Sequence, residues 1–168
     1  MNIVLRDATL DDLPVLRHWD EQPHNIESDP NDDWNWETEL SRKPYWREQL
    51  IAEFNGRPIG FVQIIDPAAE ETHYWGDVPT GYRAIDIWIG EKQDLGKGYG
   101  TEMMWLAIVR CFESENVNAI LIDPLKTNTR AHRFYERLGF RLVEERKFGE
   151  DECVVYRFDR KDWLKEHA

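Results

Sequence analysis

The sequence predicts a single α/β domain, an α+β arrangement on one mixed sheet, and three observations predict it. Short β-type runs alternate with helix-type runs along 168 residues, a length that suits one hydrophobic core. One β-type run, Ala84-Ile85-Asp86-Ile87-Trp88-Ile89, leads through a glycine-rich stretch into a helical run ending at Phe112. Two further β-type runs are joined by Asn55-Gly56, the strongest two-residue hairpin signal. No internal repeat or low-complexity linker divides residues 1–168.

Ile3-Val4-Leu5 reads as the first strand. Asp11 or Asp12 caps a helix whose first turn holds Pro14, with Leu13, Leu16 and Trp19 toward the core. Residues 20–40 are rich in Asp, Asn, Pro and Trp, among them Asp29, Asn31, Asp32, Asp33, Trp34 and Trp36. They read either as a mobile acidic loop or as a lip that offers carboxylates and indole faces to a polycation. Pro44 predicts a short helix through Tyr45 and Trp46, and the hairpin strands follow over Leu50–Phe54 and Pro58–Ile65. A second polar and aromatic loop, Asp66 to Gly81, carries Tyr74, Trp75 and Asp77. Beyond the central strand and its helix, Ala119–Ile122 reads as a strand stopped by Asp123-Pro124. Asn128 or Thr129 caps a helix that runs to Leu138 and ends at Gly139. Two last strands, Phe140–Arg146 and Cys153–Phe158, turn about Gly149, and the residues from Lys161 read as a short charged tail.

The composition, 41% hydrophobic and 32% charged, is that of a folded soluble chain. A net charge of −12, from 21 basic and 33 acidic residues, argues against nucleic acid or an anionic membrane as partner and suits a cationic small molecule. No run is long and apolar enough to cross a membrane, and Met1 to Arg6 shows no signal pattern, so a cytoplasmic location is the expectation. Monomer and homodimer both remain open. Cys111 and Cys153 lie in apolar contexts without metal-ligand spacing and read as buried free thiols; no metal site is expected. Five of the eight tryptophans (Trp19, Trp34, Trp36, Trp46, Trp75) fall outside the best core candidates, so some should line a concave surface.

The chemistry centres on Gln93-Asp94-Leu95-Gly96-Lys97-Gly98-Tyr99-Gly100-Thr101. Alternating glycines let backbone N–H groups turn inward around an anion, and the start of the following helix adds unpaired N–H groups and the positive end of its dipole. A dinucleotide fingerprint fails because Thr101 stands where its third glycine belongs, and a Walker loop fails because Gly98 follows Gly96-Lys97. Without further context the stretch is also compatible with a plain strand-to-helix turn.

The pattern that fits is Q-x-x-G-x-G, and the stretch resembles the acetyl-coenzyme A loop of the GNAT superfamily of N-acetyltransferases. A second block, Asn128-x-x-Ala131-x-x-Phe134-Tyr135-Glu136-x-x-Gly139-Phe140, resembles the second signature of the same superfamily in the right order. Asn55 to Phe61, Arg83 to Asp86 and Asp123-Pro124 extend the similarity over most of the chain, toward the aminoglycoside 6′-N-acetyltransferases. Acyltransferases of hydroxylated lysine in siderophore synthesis are a sister group, but they typically carry His where this chain has Asp86 and Glu-Pro where it has Asp123-Pro124.

The resemblance implies a central strand splayed from its neighbour, covering helices, and direct acetyl transfer in a ternary complex. It implies that acetyl-CoA is bound by residues 96–101 with Gln93, Leu95 and Asn128. The free backbone near Ile87, Trp88 and Ile89 would pair with the pantetheine arm. Asp86 is the implied partner of the reacting ammonium and Tyr135 the implied proton donor to the departing thiolate, with Asp123 a second carboxylate for the cation. Trp34, Trp36, Tyr74, Trp75 and Asp77 complete the expected substrate surface. Read without the resemblance, Asp86 is a strand carboxylate facing solvent and Tyr135 a half-buried helix tyrosine. Polyamines, protein amino termini and a non-enzymatic coenzyme A-binding role remain alternatives, the last disfavoured by the intact Asp86 and Tyr135.

Overall fold

The computed structural model describes residues 2–31 and 33–167, so Asp32, counted above with the acidic lip, lies outside the described residues. Its elements are β1 (Ile3–Asp7), α1 (Leu13–Asp20), α2 (Pro23–Ser28), α3 (Trp36–Glu39), β2 (Arg47–Phe54), β3 (Arg57–Ile65) and β4 (Tyr82–Ile89). They continue with α4 (Tyr99–Phe112), β5 (Ala119–Ile122), α5 (Thr129–Leu138), β6 (Arg141–Phe148), β7 (Asp151–Asp159) and α6 (Arg160–His167). The strands form one mixed sheet in the order β1-β2-β3-β4-β5-β7-β6. Only β4 and β5 run parallel; the other neighbours are antiparallel. Among the described residues, no helix is long and apolar enough to cross a membrane.

Side-chain alternation along the strands divides the core into two layers. Leu50 and Ala52 of β2, with Val62 and Ile64 of β3, join Met103, Met104, Ala107 and Ile108 of α4 in one cluster. Ile51 and Phe61, from the same two strands, join Leu16 and Trp19 of α1 and Trp36 of α3 in the other. The turn between β2 and β3 has Asn55 at φ 50° and Gly56 at φ 83°, the left-handed pair that a two-residue hairpin requires. Gly90, just past β4, lies so close to the Trp19 indole that a Cβ there would come within 2.1 Å of its ring. That contact seats α1 on the end of the central strand.

Four local expectations are corrected. Asp12 occupies the position before α1, as expected, but its side chain makes no cap bond there; the capping side chain is Thr9, at the head of the short turn Leu10–Asp12, whose hydroxyl accepts from Asp11 N–H at 3.2 Å. Asp12 instead reaches back to Thr9 N–H and takes both arms of Arg6. Tyr45 and Trp46 form a turn rather than a helix, because the backbone at 46 and 47 is drawn into pairing with β3 through Asp66 N–H on Trp46 O. Residues 20–40 are not simply a loop but contain α2 and α3, the latter held by the burial of Trp36. The charged tail is helical because Trp163 stacks on Phe112, at 6.0 Å between ring centroids.

Candidate active site

The site begins where the central strand loses a neighbour. β4 pairs with β3 along Ala84–Ile89, but with β5 only from Tyr82 to Ala84. Beyond Ala84 the two parallel strands part, as the sequence resemblance implied. Gly90 N–H donates to Ile59 O at 2.9 Å, which fixes the hydrogen-bonding parity of the β3–β4 pair. By that alternation the backbone groups of Asp86 and Trp88 point into β3, whereas those of Ile85, Ile87 and Ile89 point into the gap. His24 of α2 donates its Nε2–H to the Ile89 carbonyl at 2.9 Å, so that acceptor is already engaged. Of the three residues expected along a pantetheine arm, Ile87 therefore offers both backbone groups, Ile89 its N–H, and Trp88 neither.

At the C-terminal end of β4 the glycine stretch turns into α4. Gly96 (φ 72°) and Gly98 (φ 83°) both occupy the left-handed region, and a Cβ on Gly96 would meet nothing within 4 Å, so the loop stands open. The first helical bond of α4 runs from Glu102 N–H to Gly98 O, so the N–H groups of Tyr99, Gly100 and Thr101 have no helical acceptor. This is the geometry that binds a diphosphate by backbone and dipole. Gln93, Lys97 and Thr101 are exposed around it, Leu95 is half-buried, and the Tyr99 ring packs inward on Phe54 at 5.2 Å. The open strand edge and this loop fit the acyl donor that the sequence resemblance implies.

A cavity of about 440 Å³ lies in the gap between β4 and β5. Asp86 enters it from β4, Asp123 from the end of β5, and Asn128 and Tyr135 from the start and face of α5. Asp29, Glu150 and Asp151 line it as well, and no Lys, Arg or His does so among the described residues. Asp86 accepts Gln63 Nε2–H at 3.0 Å, and Gln63 accepts Gln49 Nε2–H at 3.1 Å, a row of side chains crossing three strands on one face. Tyr74 lies over the opening, stacked on Phe148 at 4.6 Å, and donates its hydroxyl to Asp123 at 2.5 Å. Asn31 donates to Asp151 at 2.6 Å, tying the α2–α3 connection to the β6–β7 turn across the mouth. Asn128 caps α5, accepting Ala131 N–H at 3.2 Å, and is thereby fixed at the cavity wall.

Burial, and then the charges of Asp86 and Asp123, raise the Tyr135 phenol well above its ordinary value. The Tyr74 phenol is raised by burial and by Asp123. Both stay protonated at neutral pH, as proton donors must. Cys111 is buried and its thiol is pushed up to about 12 by desolvation, which makes it inert; Cys153, also buried, borders the cavity.

The structure therefore gathers Asp86, Asp123, Asn128, Tyr74 and Tyr135, but it does not bring every predicted residue to this cavity. Trp36 and Trp75 are each 4% exposed and belong to the core, as does Trp19 at 1%. Asp77 is exposed away from the lining, and Trp34 borders a smaller cavity of about 160 Å³ with Asp20, Asp29, Asp33 and Trp88. Sequence reading missed Glu150 and Asp151, whose acidic run was visible but was assigned to a plain turn. It also missed Gln63, which only strand register places beside Asp86.

A mixed sheet that splays beside a glycine loop heading a helix is the architecture of an N-acyltransferase domain. The chain belongs to the acetyltransferase (GNAT) domain family, whose model matches residues 8–148. An aminoglycoside N(6′)-acetyltransferase type 1 from Klebsiella pneumoniae is 29% identical over 153 residues, covering 83% of this chain and 74% of that protein. A kanamycin resistance protein from Rhizobium radiobacter is 35% identical over 72 residues, covering 42% of this chain and 67% of that protein. The crystal structure of aminoglycoside acetyltransferase AAC(6′)-Ib in complex with coenzyme A and kanamycin superposes with a TM-score of 0.88 at 25% identity, covering 99% of this chain and 100% of that one.

Proposed function

We propose that the protein transfers the acetyl group of acetyl-CoA to a primary amine of a polycationic small molecule, the 6′-amine of an aminoglycoside. The observation that carries this reading is the lining of the larger cavity: five carboxylates (Asp29, Asp86, Asp123, Glu150, Asp151) and, among the described residues, no cationic side chain, beside an open strand edge. Several carboxylates facing one cavity make a negative field that favours a sugar bearing several ammonium groups over a monocationic acceptor. AAC(6′)-Ib, with kanamycin and coenzyme A bound, supports the same assignment.

Bound acetyl-CoA supplies the thioester that is cleaved. Residues of this chain supply orientation and proton management. An amine of ordinary pKa, ~10, is only about one part in a thousand deprotonated at pH 7, so the site must hold an ammonium and accept its proton. Asp86, steadied by Gln63, holds the cation; its proton leaves directly to the carboxylate or through water. The amine nitrogen then bonds to the carbonyl carbon while the carbon–sulfur bond breaks. The backbone N–H of Ile87 or Ile89 stabilises the carbonyl oxygen as it gains charge. Tyr135 gives its proton to the departing sulfur and is reprotonated through water by the second proton that the nitrogen sheds on becoming an amide, so the cycle releases one net proton, the one first taken from the ammonium.

The test is thiol release from acetyl-CoA with kanamycin-type and gentamicin-type aminoglycosides, spermidine, lysine and hydroxylated lysine as acceptors. Turnover of 6′-amino aminoglycosides, and none with analogues lacking that amine, is the expected outcome. Turnover confined to hydroxylated lysine overturns the acceptor assignment and moves the protein to siderophore acylation.

A further inference from the structure

Four carboxylic acids are buried among the described residues: Asp12, Glu70, Asp94 and Asp159. Three serve local structure. Asp12 closes the cap before α1, Glu70 accepts the N–H groups of Thr72 and Tyr74, and Asp159 pairs with Arg141 and Arg157. Asp94 is different in place. It occupies the first variable position of the glycine motif, two residues before Gly96, with its side chain only 1% exposed. A buried negative charge there opposes the diphosphate that the loop is built to receive.

The opposition is cancelled from outside the loop. Arg57, the first residue of β3, grips both Asp94 oxygens, at 2.9 and 3.1 Å. Lys97, inside the loop, approaches the same carboxylate only to 3.9 Å, with about half of its side chain exposed. The two contacts differ in kind. A planar fork on two oxygens is a committed pair, whereas a flexible ammonium at that distance is free to turn toward another anion. The far side of the loop docks on the same hairpin tip, because the Tyr99 ring meets Phe54 at 5.2 Å, and Phe54 pairs with Arg57 across the turn. Gly96, Lys97 and Gly98 are thus bracketed by two anchors, both on the β2–β3 hairpin.

We infer that Arg57 is a positioning residue for the acyl donor. From the hairpin tip it neutralises Asp94, fixes the entry to the glycine loop, and leaves Lys97 available to a donor phosphate. The inference rests on the coenzyme reading given under Proposed function.

The experiment measures the Kd of coenzyme A by calorimetry, together with KM for acetyl-CoA, KM for the amine and kcat. It compares the wild type with Arg57→Leu, Arg57→Lys, Asp94→Asn and the Arg57→Leu/Asp94→Asn double variant. Arg57→Leu strands a buried anion beside the donor and weakens its binding about tenfold or more, while kcat and the amine KM stay within about twofold. Arg57→Lys recovers part of the loss, since it restores charge without the fork. Asp94→Asn binds the donor no more weakly than wild type, and the double variant regains most of what Arg57→Leu loses. A purely structural ion pair predicts instead that Asp94→Asn, which leaves Arg57 unpaired, weakens donor binding about as much as Arg57→Leu does; that result overturns the inference. So does wild-type affinity in Arg57→Leu. Should Arg57→Leu not fold, weakened binding in Asp94→Asn overturns it alone. A wild-type protein that does not bind coenzyme A refutes the coenzyme reading itself, an outcome distinct from all of these.

Discussion

Tyr135 and Asp86 stand on opposite sides of the gap, and the roles proposed for them separate kinetically. Tyr135 is 8% exposed, ringed by Phe134, Phe140 and Tyr156. Tyr135→Phe keeps that packing and removes only the proton. The expected result is a fall in kcat of about a hundredfold or more, with the Kd of coenzyme A within about twofold. Asp86→Asn keeps the shape and removes a charge, so it should raise KM for the amine by about tenfold or more, as lost charge-assisted bonds do. Steady-state kinetics on both variants check this split, and an unchanged kcat in Tyr135→Phe removes the phenol from the mechanism. Both residues were named from sequence because their motifs surround them. Gln63 was not, since nothing in its local sequence says that two strands place its amide on Asp86.

At the scale of the element, the start of α5 joins folding to function. Asn128 caps the helix with its side chain and Gly139 ends it at φ 105°, both as the sequence predicts. Asn128→Ala should cost about 1 kcal/mol of stability, measured by denaturant unfolding, because one N–H of the first turn loses its acceptor. The β4–β5 splay is also an element-scale feature, but it was legible only through the family resemblance. Apolar runs at Ala84–Ile89 and Ala119–Ile122 announce two strands, and nothing in either run says that pairing stops after Ala84. The tail helix escaped sequence reading for a related reason. Its polar composition reads as solvated until Trp163 is seen against Phe112.

Across the whole molecule, the excess of acid shapes both stability and recognition. Burial works against ionisation of Asp12, Glu39, Glu70 and Asp159, but hydrogen bonds outweigh it and hold all four below their ordinary values: from Arg6 to Asp12, from Arg47 to Glu39, from Thr72 to Glu70 and from Arg141 to Asp159. A carboxyl with a lowered folded pKa adds stability that is present above its unfolded pKa, about 4, and is lost as pH falls through the folded value. Thermal melts should therefore hold Tm nearly constant from pH 7 toward pH 5 and show it falling below about pH 4. A Tm that rises on acidification would mean that relief of charge repulsion dominates instead. The net charge of −12 concentrates cations near the cavity, so the rate of amine capture should decline with added salt.

By itself the sequence determined the order of the seven strands and of α1, α4 and α5, the hairpin turn, the glycine loop and the cap of α5, and it named candidate residues for the chemistry. Each of these depends on backbone preferences or on a short motif, and such information is local. The tertiary structure alone decided which tryptophans are core, where the central strand opens, that five carboxylates share one cavity, and that Arg57 answers Asp94. Those facts depend on strand register and on contacts between segments far apart in the chain, which no window of sequence contains.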